Sequence, residues 1–145
     1  MIIHFVCKGN TYRSRLAEAY LNSKELKNVK SISSGIEADK NISGTISWYA
    51  QRIIQKNKLV KYESKSWQRT TKALLEKADL NIFMEKSIYD FCKNKLGFDA
   101  SDYEIWDIYD VNHFVSGKIE EENIKVTEET FGKIKKMADK LASRI

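Results

Sequence analysis

Apolar and polar positions follow two periods along this chain. Residues 1–6 hold the run Ile2-Ile3-His4-Phe5-Val6, which predicts a buried strand. Residues 14–23 predict a helix, built on Arg15-Leu16-Ala17-Glu18-Ala19-Tyr20-Leu21. Residues 29–33 alternate apolar and polar and predict a second strand. A polar loop over 36–44 leads to a helix over 46–56, with Trp48, Tyr49, Ile53 and Ile54 as its apolar positions. Thr70 or Thr71 is placed to cap a helix carrying Leu74, Leu75 and Ala78. Residues 79–84 predict a third strand, 87–96 a helix stopped by Gly97, and 103–108 a fourth strand. Thr127 is expected to cap a last helix striped by Phe131, Ile134, Ala138, Leu141 and Ile145.

Strands alternating with helices predict an α/β fold: three layers, α/β/α, around a central four-stranded parallel sheet. No linker, repeat or low-complexity block interrupts the pattern, so residues 1–145 are expected to form one domain. Sheets of this kind bind ligands beyond the carboxyl ends of their strands. Cys7 stands at such an end.

Five residues separate Cys7 from Arg13 in Cys7-Lys8-Gly9-Asn10-Thr11-Tyr12-Arg13-Ser14. A loop wrapping from strand end to helix start aims successive backbone N–H groups at one point. The first N–H groups of a helix lack internal partners and carry partial positive charge. Together they make a cradle for a tetrahedral oxyanion. The same field favours the thiolate, the nucleophilic form of cysteine. Arg13 adds a planar fork suited to two phosphate oxygens. Gly9 and Asn10 are residue types that visit the left-handed backbone region readily. Ser14 is placed to donate its hydroxyl to the Cys7 sulfur. A nucleotide P-loop is excluded, because its Gly-Lys-Ser/Thr ending is missing.

The segment resembles the signature loop of the low-molecular-weight protein tyrosine phosphatase family, whose fold is shared by thiol-dependent arsenate reductases. Gly9-Asn10, Arg13-Ser14 and Ala17-Glu18-Ala19 match that signature in place. Ser33-Ser34-Gly35 resembles the family's Ser-Ala-Gly after the second strand, and residues 78–84 resemble its third strand. The resemblance implies a phosphate monoester hydrolase, a protein tyrosine phosphatase that passes through a cysteinyl-phosphate. It assigns Cys7 as nucleophile and Arg13 as transition-state stabiliser. Lys8, Gly9, Asn10, Thr11, Tyr12, Arg13 and Ser14 bind the phosphate, and Asn10 and Ser33 brace the loop. The implied substrate is a phosphotyrosine protein or a small aryl phosphate. No metal and no organic cofactor are required.

The leaving oxygen needs a proton. The family takes it from an Asp-Pro pair just after the fourth strand. Asp107 and Asp110 are the candidates, and Asp110-Val111 fits the register better, so Asp110 is expected to be the acid. Asp107 is expected still to lie within the strand. The proline is missing here, as it is from the whole chain, and Asn112, His113 and Phe114 stand where the family has a substrate-walling aromatic rim. Tyr109 or Phe114 is a candidate aromatic wall. Tyr12 replaces the second loop cysteine of many members, so oxidised Cys7 is expected to have no resolving partner within the loop. Cys92 is expected to be a packed helix residue.

Composition narrows the setting. A hydrophobic share of 42% with 31% charged residues describes a soluble globular chain, and no apolar run approaches the roughly 20 residues of a membrane span. The start of the chain reads as a strand rather than an export signal, and two cysteines make no disulfide framework. The cytoplasm is the expected compartment. A net charge of +5, scattered without a dense block, predicts no nucleic-acid partner. A monomer or weak dimer is expected. His4 and His113 are expected to be a packed residue and a loop residue, not zinc ligands. Trp48, Trp67 and Trp106 are expected to pack in or against the core. Two other functions use the same cradle: a thiol-dependent arsenate reductase, which needs a further thiol, and a non-catalytic phosphate- or phosphoprotein-binding module.

Overall fold

A computed structural model describes residues 1–110 and 120–145 of the chain. Its sheet has four parallel strands, β1 (Ile2–Cys7), β2 (Lys30–Gly35), β3 (Leu80–Phe83) and β4 (Tyr103–Ile105), in the order β2-β1-β3-β4. β1 is central, and Ile3, Phe5 and Val6 are fully buried within it. The register sets Cys7 beside Gly35 and Phe5 between Ser33 and Ile82. The expected α/β/α sandwich is therefore the observed one. Helices α1 (Arg13–Ser23), α2 (Trp48–Lys56) and α5 (Glu120–Ala142) pack on each other on one side. Helices α3 (Lys72–Lys77) and α4 (Lys86–Leu96) cover β1 and β3 on the other.

Local chemistry explains most boundaries. The Thr71 side chain caps α3 by accepting the Leu74 N–H at 3.2 Å. Its neighbour Thr70 is instead buried against the Ser34 hydroxyl at 2.6 Å. Gly97 ends α4 at φ +76°, a conformation glycine adopts without a Cβ clash. His4 sits inside the sheet between Asn81 Oδ1 (2.8 Å) and Ser34 Oγ (2.7 Å), and burial lowers its pKa to about 4.

Three expectations are corrected. α5 is already helical at Glu120, and Thr127 lies inside it, its hydroxyl donating back to the Ile124 carbonyl at 2.9 Å. Glu120, Glu121 and Glu122 favour the first turn because carboxylates suit the positive end of a helix. The apolar stripe stops at Leu141, since Ile145 is past the helix and exposed. Trp48 is exposed at the start of α2, whereas Trp106 is buried against Phe5 and Trp67 is half-buried.

The fourth strand is also shorter than expected. Trp106 N–H still bonds to the Phe83 carbonyl at 2.9 Å, and Ile108 N–H to the Met84 carbonyl at 2.9 Å. Between them Asp107 turns through φ +55°. Asp107 is therefore an exposed kink residue outside the strand.

Candidate active site

The segment from Lys8 to Tyr12 curls from the end of β1 to the start of α1, over the Cys7 sulfur. Asn10 N–H points at Cys7 Sγ from 3.2 Å, and Ser14 Oγ lies 2.8 Å from it. Asn10 supplies the expected left-handed turn, at φ +54°. Gly9 does not have positive φ. The Asn10 side chain reaches back from the turn. Its Nδ2 donates to Ser14 Oγ (2.8 Å) and Ser33 Oγ (2.9 Å), and its Oδ1 accepts the Gln68 N–H (2.9 Å). All three of Asn10, Ser14 and Ser33 are buried, so these bonds are made in a medium where leaving them unmade is costly.

β2 closes the loop from behind. Ile36 N–H donates to the Cys7 carbonyl (3.0 Å) and Glu37 N–H to the Lys8 carbonyl (2.8 Å). Gly35 is pressed against the loop so closely that a Cβ there would stand 2.6 Å from Asn10 N and 2.7 Å from Lys8 O. Lys8 itself is exposed, with its ammonium 3.8 Å from the Glu37 carboxylate. Tyr12 is buried. Its hydroxyl lies beside Thr130 and Thr127 of α5 without a hydrogen-bond partner among the described residues, and burial pushes its ionisation far up.

Arg13 is 1% exposed, and its charge is met from the far side of the sheet's carboxyl edge. Nη1 donates to the Ile108 carbonyl at 2.8 Å and stands 3.4 Å from the Glu85 carboxylate. Nη2 is 3.7 Å from Asp110 Oδ2. Glu85 also accepts the Asp110 N–H, at 3.1 Å. The kink at Asp107 turns the Ile108 carbonyl to Arg13 and carries Asp110 to the cleft.

That cleft, of about 320 Å³, opens over Cys7. It is lined by Lys8, Gly9, Thr11, Tyr12 and Arg13 of the loop and helix start, by Asp110, and by Glu37, Lys40, Asn41, Ile42 and Ser43 of the segment after β2, whose residues 41–43 form a wall. Asp107 is not among the residues around it. The wall is aliphatic where it is apolar, with Ile42 wholly exposed, and Tyr109 is exposed beside Asp110. Val111, Asn112, His113, Phe114 and Gly117 lie outside the described residues. The arrangement combines a thiol, a guanidinium fork and a carboxyl group around one space large enough for a phosphate ester. Among the described residues, no group of three or more His, Cys, Asp or Glu side chains is placed to hold a metal ion.

The sequence pattern of the low molecular weight phosphotyrosine protein phosphatases matches residues 2–145. This chain belongs to that family. It is therefore a cysteine-dependent phosphatase. No curated protein matches it by sequence. Its fold is similar to that of a low molecular weight protein tyrosine phosphatase from T. tengcongensis, at 22% identity and a TM-score of 0.80, covering 100% of this chain and 99% of that one. Wzb from Vibrio vulnificus, solved with benzylphosphonate, is 23% identical with a TM-score of 0.79, over 99% and 98% of the two chains. YwlE arginine phosphatase from Geobacillus stearothermophilus is 23% identical with a TM-score of 0.73, over 99% and 94%. No helix among the described residues of this phosphatase is long and apolar enough to cross a membrane.

Three residues around the site escaped the sequence reading. Glu85 follows the end of β3, where the rule for ligand sites in parallel sheets could have flagged it. Gln68 holds Asn10 from a segment with no recognisable pattern. Arg15 stands in the predicted helix run with no role assigned to it, yet it is 1% exposed beneath the loop.

Proposed function

We propose that this phosphatase hydrolyses phosphotyrosine in proteins, and small aryl phosphates, by two displacements at Cys7. The Cys7 thiolate attacks phosphorus in line, and the bond to the ester oxygen breaks as Asp110 protonates that oxygen. The loop N–H groups from Lys8 to Arg13 and the Arg13 fork hold the equatorial oxygens as charge develops on them. Asp110, now ionised, takes a proton from water, and the water oxygen attacks the cysteinyl-phosphate. Inorganic phosphate leaves, and Ser14 stabilises the departing thiolate by its hydroxyl. Every step uses side chains, backbone and water alone.

The observation that carries this reading is one cleft holding Cys7, Arg13 and Asp110 together, with Ser14 Oγ 2.8 Å from the sulfur. Asp110 is preferred to Asp107 because it borders the cleft and lies 3.7 Å from Arg13. The reading extends to a single domain, monomeric or weakly dimeric, acting in the cytoplasm without nucleic-acid or membrane partners. A reducing compartment keeps a nucleophilic thiol in its working form.

A second substrate class, phosphoarginine, is suggested by two carboxylates at the cleft. Glu37 and Asp110 line the cleft alongside Lys8, Lys40 and Arg13, and a guanidino leaving group carries positive charge that those carboxylates attract. A structural neighbour is named an arginine phosphatase.

The test is hydrolysis of phenyl phosphate and of phosphotyrosine and phosphoarginine peptides by wild type, Cys7→Ser, Asp107→Asn and Asp110→Asn. Cys7→Ser is expected to be inactive. Asp110→Asn is expected to lose about 10²-fold or more in kcat on phenyl phosphate, and Asp107→Asn little. Turnover by Cys7→Ser overturns the covalent route, and greater damage in Asp107→Asn overturns the choice of acid. Phosphate binding without turnover in wild type identifies a binding module, and arsenate-dependent consumption of thiol identifies a reductase. The peptide with the higher kcat/KM names the substrate class.

A further inference from the structure

Arg13 and Arg15 sit two residues apart in the first turn of α1, which puts them on roughly opposite sides of the helix, about 200° apart. Arg13 borders the cleft. Arg15 runs beneath the loop and is as completely buried. A buried guanidinium is costly unless its donors are met. Three carbonyls from three separate segments meet its two terminal nitrogens, while its buried Nε–H has no partner among the described residues. Nη1 donates to Asn10 O (3.3 Å) and Thr45 O (2.8 Å), and Nη2 donates to Ser64 O.

Each of those segments bears on the site. Asn10 is the turn of the phosphate loop. Thr45 belongs to the segment whose residues Asn41, Ile42 and Ser43 wall the cleft, and Ser47 N–H in that segment donates to Thr11 O at 2.9 Å. Ser64 is held a second time by Glu18, whose carboxylate accepts the Ser64 N–H (2.9 Å), the Ser64 hydroxyl (2.5 Å) and the Ser33 hydroxyl (3.1 Å). Ser33 in turn accepts from the Asn10 side chain. The bonds close a ring, from the Asn10 amide through Ser33, Glu18, Ser64 and Arg15 back to the Asn10 carbonyl.

We propose that Arg15 is a positioning residue of the phosphatase reaction, which locks the phosphate loop to the substrate wall so that the two keep one geometry. The proposal rests on the phosphatase reading of the loop. By fixing the Asn10 carbonyl, Arg15 fixes the plane of the Asn10–Thr11 peptide, whose N–H belongs to the anion cradle. By holding Thr45, it sets how far the Asn41–Ser43 wall stands from Cys7. A lysine keeps the charge but cannot span three carbonyls with a planar fork, and a methionine keeps only the stem.

The test compares wild type, Arg15→Lys and Arg15→Met at a temperature where each is folded, with thermal unfolding followed in parallel. Two readouts separate positioning from mere stability: the inhibition constant of inorganic phosphate, and the ratio of KM for naphthyl phosphate to KM for phenyl phosphate. Loss of charge-assisted bonds to the cradle is expected to weaken phosphate binding about tenfold in Arg15→Met and by less in Arg15→Lys. The KM ratio is expected to shift in both, because the larger ring extends further from the phosphate and is more sensitive to where the wall stands. Wild-type phosphate inhibition and a wild-type KM ratio in Arg15→Lys, and in Arg15→Met where it folds, overturn the proposal even if both unfold at lower temperature. A wild type that neither turns over phenyl phosphate nor binds phosphate would instead overturn the reading of the loop.

Discussion

Glu85 holds Asp110 by its backbone. The carboxylate at the end of β3 accepts the Asp110 N–H at 3.1 Å while standing 3.4 Å from Arg13 Nη1. One side chain thus ties the residue proposed as acid to the residue proposed as phosphate fork. Arg13 completes the frame through the Ile108 carbonyl, 95 residues away in the chain.

That frame predicts a leaving-group effect. Glu85→Gln retains an oxygen for the Asp110 N–H, whereas Glu85→Ala retains none. Glu85→Ala is expected to lose about tenfold in kcat on phosphotyrosine, which needs a proton donor in place. On an aryl phosphate with a strongly acidic phenol it is expected to lose much less, and Glu85→Gln should fall between. Steady-state kinetics on a series of aryl phosphates reads this as a steeper dependence on leaving-group pKa. An equal loss across the series would show that Glu85 acts only through stability or phosphate binding.

Gly35 predicts a steric effect. A methyl group there would meet loop backbone at 2.6–2.8 Å, at Asn10 N, Lys8 O and Gly9 C. Backbone held by a buried hydrogen-bond network cannot move aside as a flexible side chain can. Gly35→Ala is expected to fold with a loss of about 1–3 kcal/mol and to weaken phosphate binding by more than tenfold. Urea unfolding and phosphate inhibition measure the two effects. Unchanged inhibition would mean that the loop tolerates displacement.

His4 predicts acid sensitivity with a definite sign. Burial favours the neutral imidazole in the folded chain, with a pKa of about 4 against 6.5 when unfolded. The unfolded chain therefore binds the proton first as pH falls. The stabilisation is complete above pH 6.5, declines as pH drops from there toward 4, and is gone below that. The full interval is worth about 3 kcal/mol. Urea midpoints of wild type and His4→Asn between pH 7 and pH 4 should show a shallower decline in the variant. Parallel declines would place the acid sensitivity elsewhere.

The two thiols predict a simple oxidation chemistry. Cys92 is fully buried in α4, and burial raises its pKa to about 12, so it is a poor nucleophile at neutral pH. Tyr12 stands in the loop where a second cysteine would resolve an oxidised Cys7. Peroxide is expected to inactivate the enzyme through a sulfenic acid at Cys7, trapped by dimedone and reversed by added thiol. Mass spectrometry of the oxidised protein should show no Cys7–Cys92 disulfide. Finding that disulfide would mean that α4 opens under oxidation.

What the sequence determined by itself was local. A strand, a loop of fixed length and a helix start are written in adjacent residues. Cys7, Asn10, Arg13 and Ser14 are therefore legible as one cradle from their spacing alone. The alternation of periods likewise determined the parallel sheet, because buried strands and amphipathic helices have few other ways to cover each other. The tertiary structure alone decided what surrounds that cradle. Register in the sequence favours Asp110 over Asp107 only weakly, whereas the kink at Asp107 leaves Asp110, and not Asp107, beside the cleft. Glu85 and Arg15 carry no local signal of their contacts, since the carbonyls and amides they bind come from distant segments. Thr127 has the composition of a cap, yet the helix runs through it, because Asn123, Thr127, Thr130 and Phe131 form one buried face that outweighs a capping preference. Spacing along a chain specifies a motif closed by neighbouring backbone. It does not specify which remote side chains the packed sheet brings to that motif.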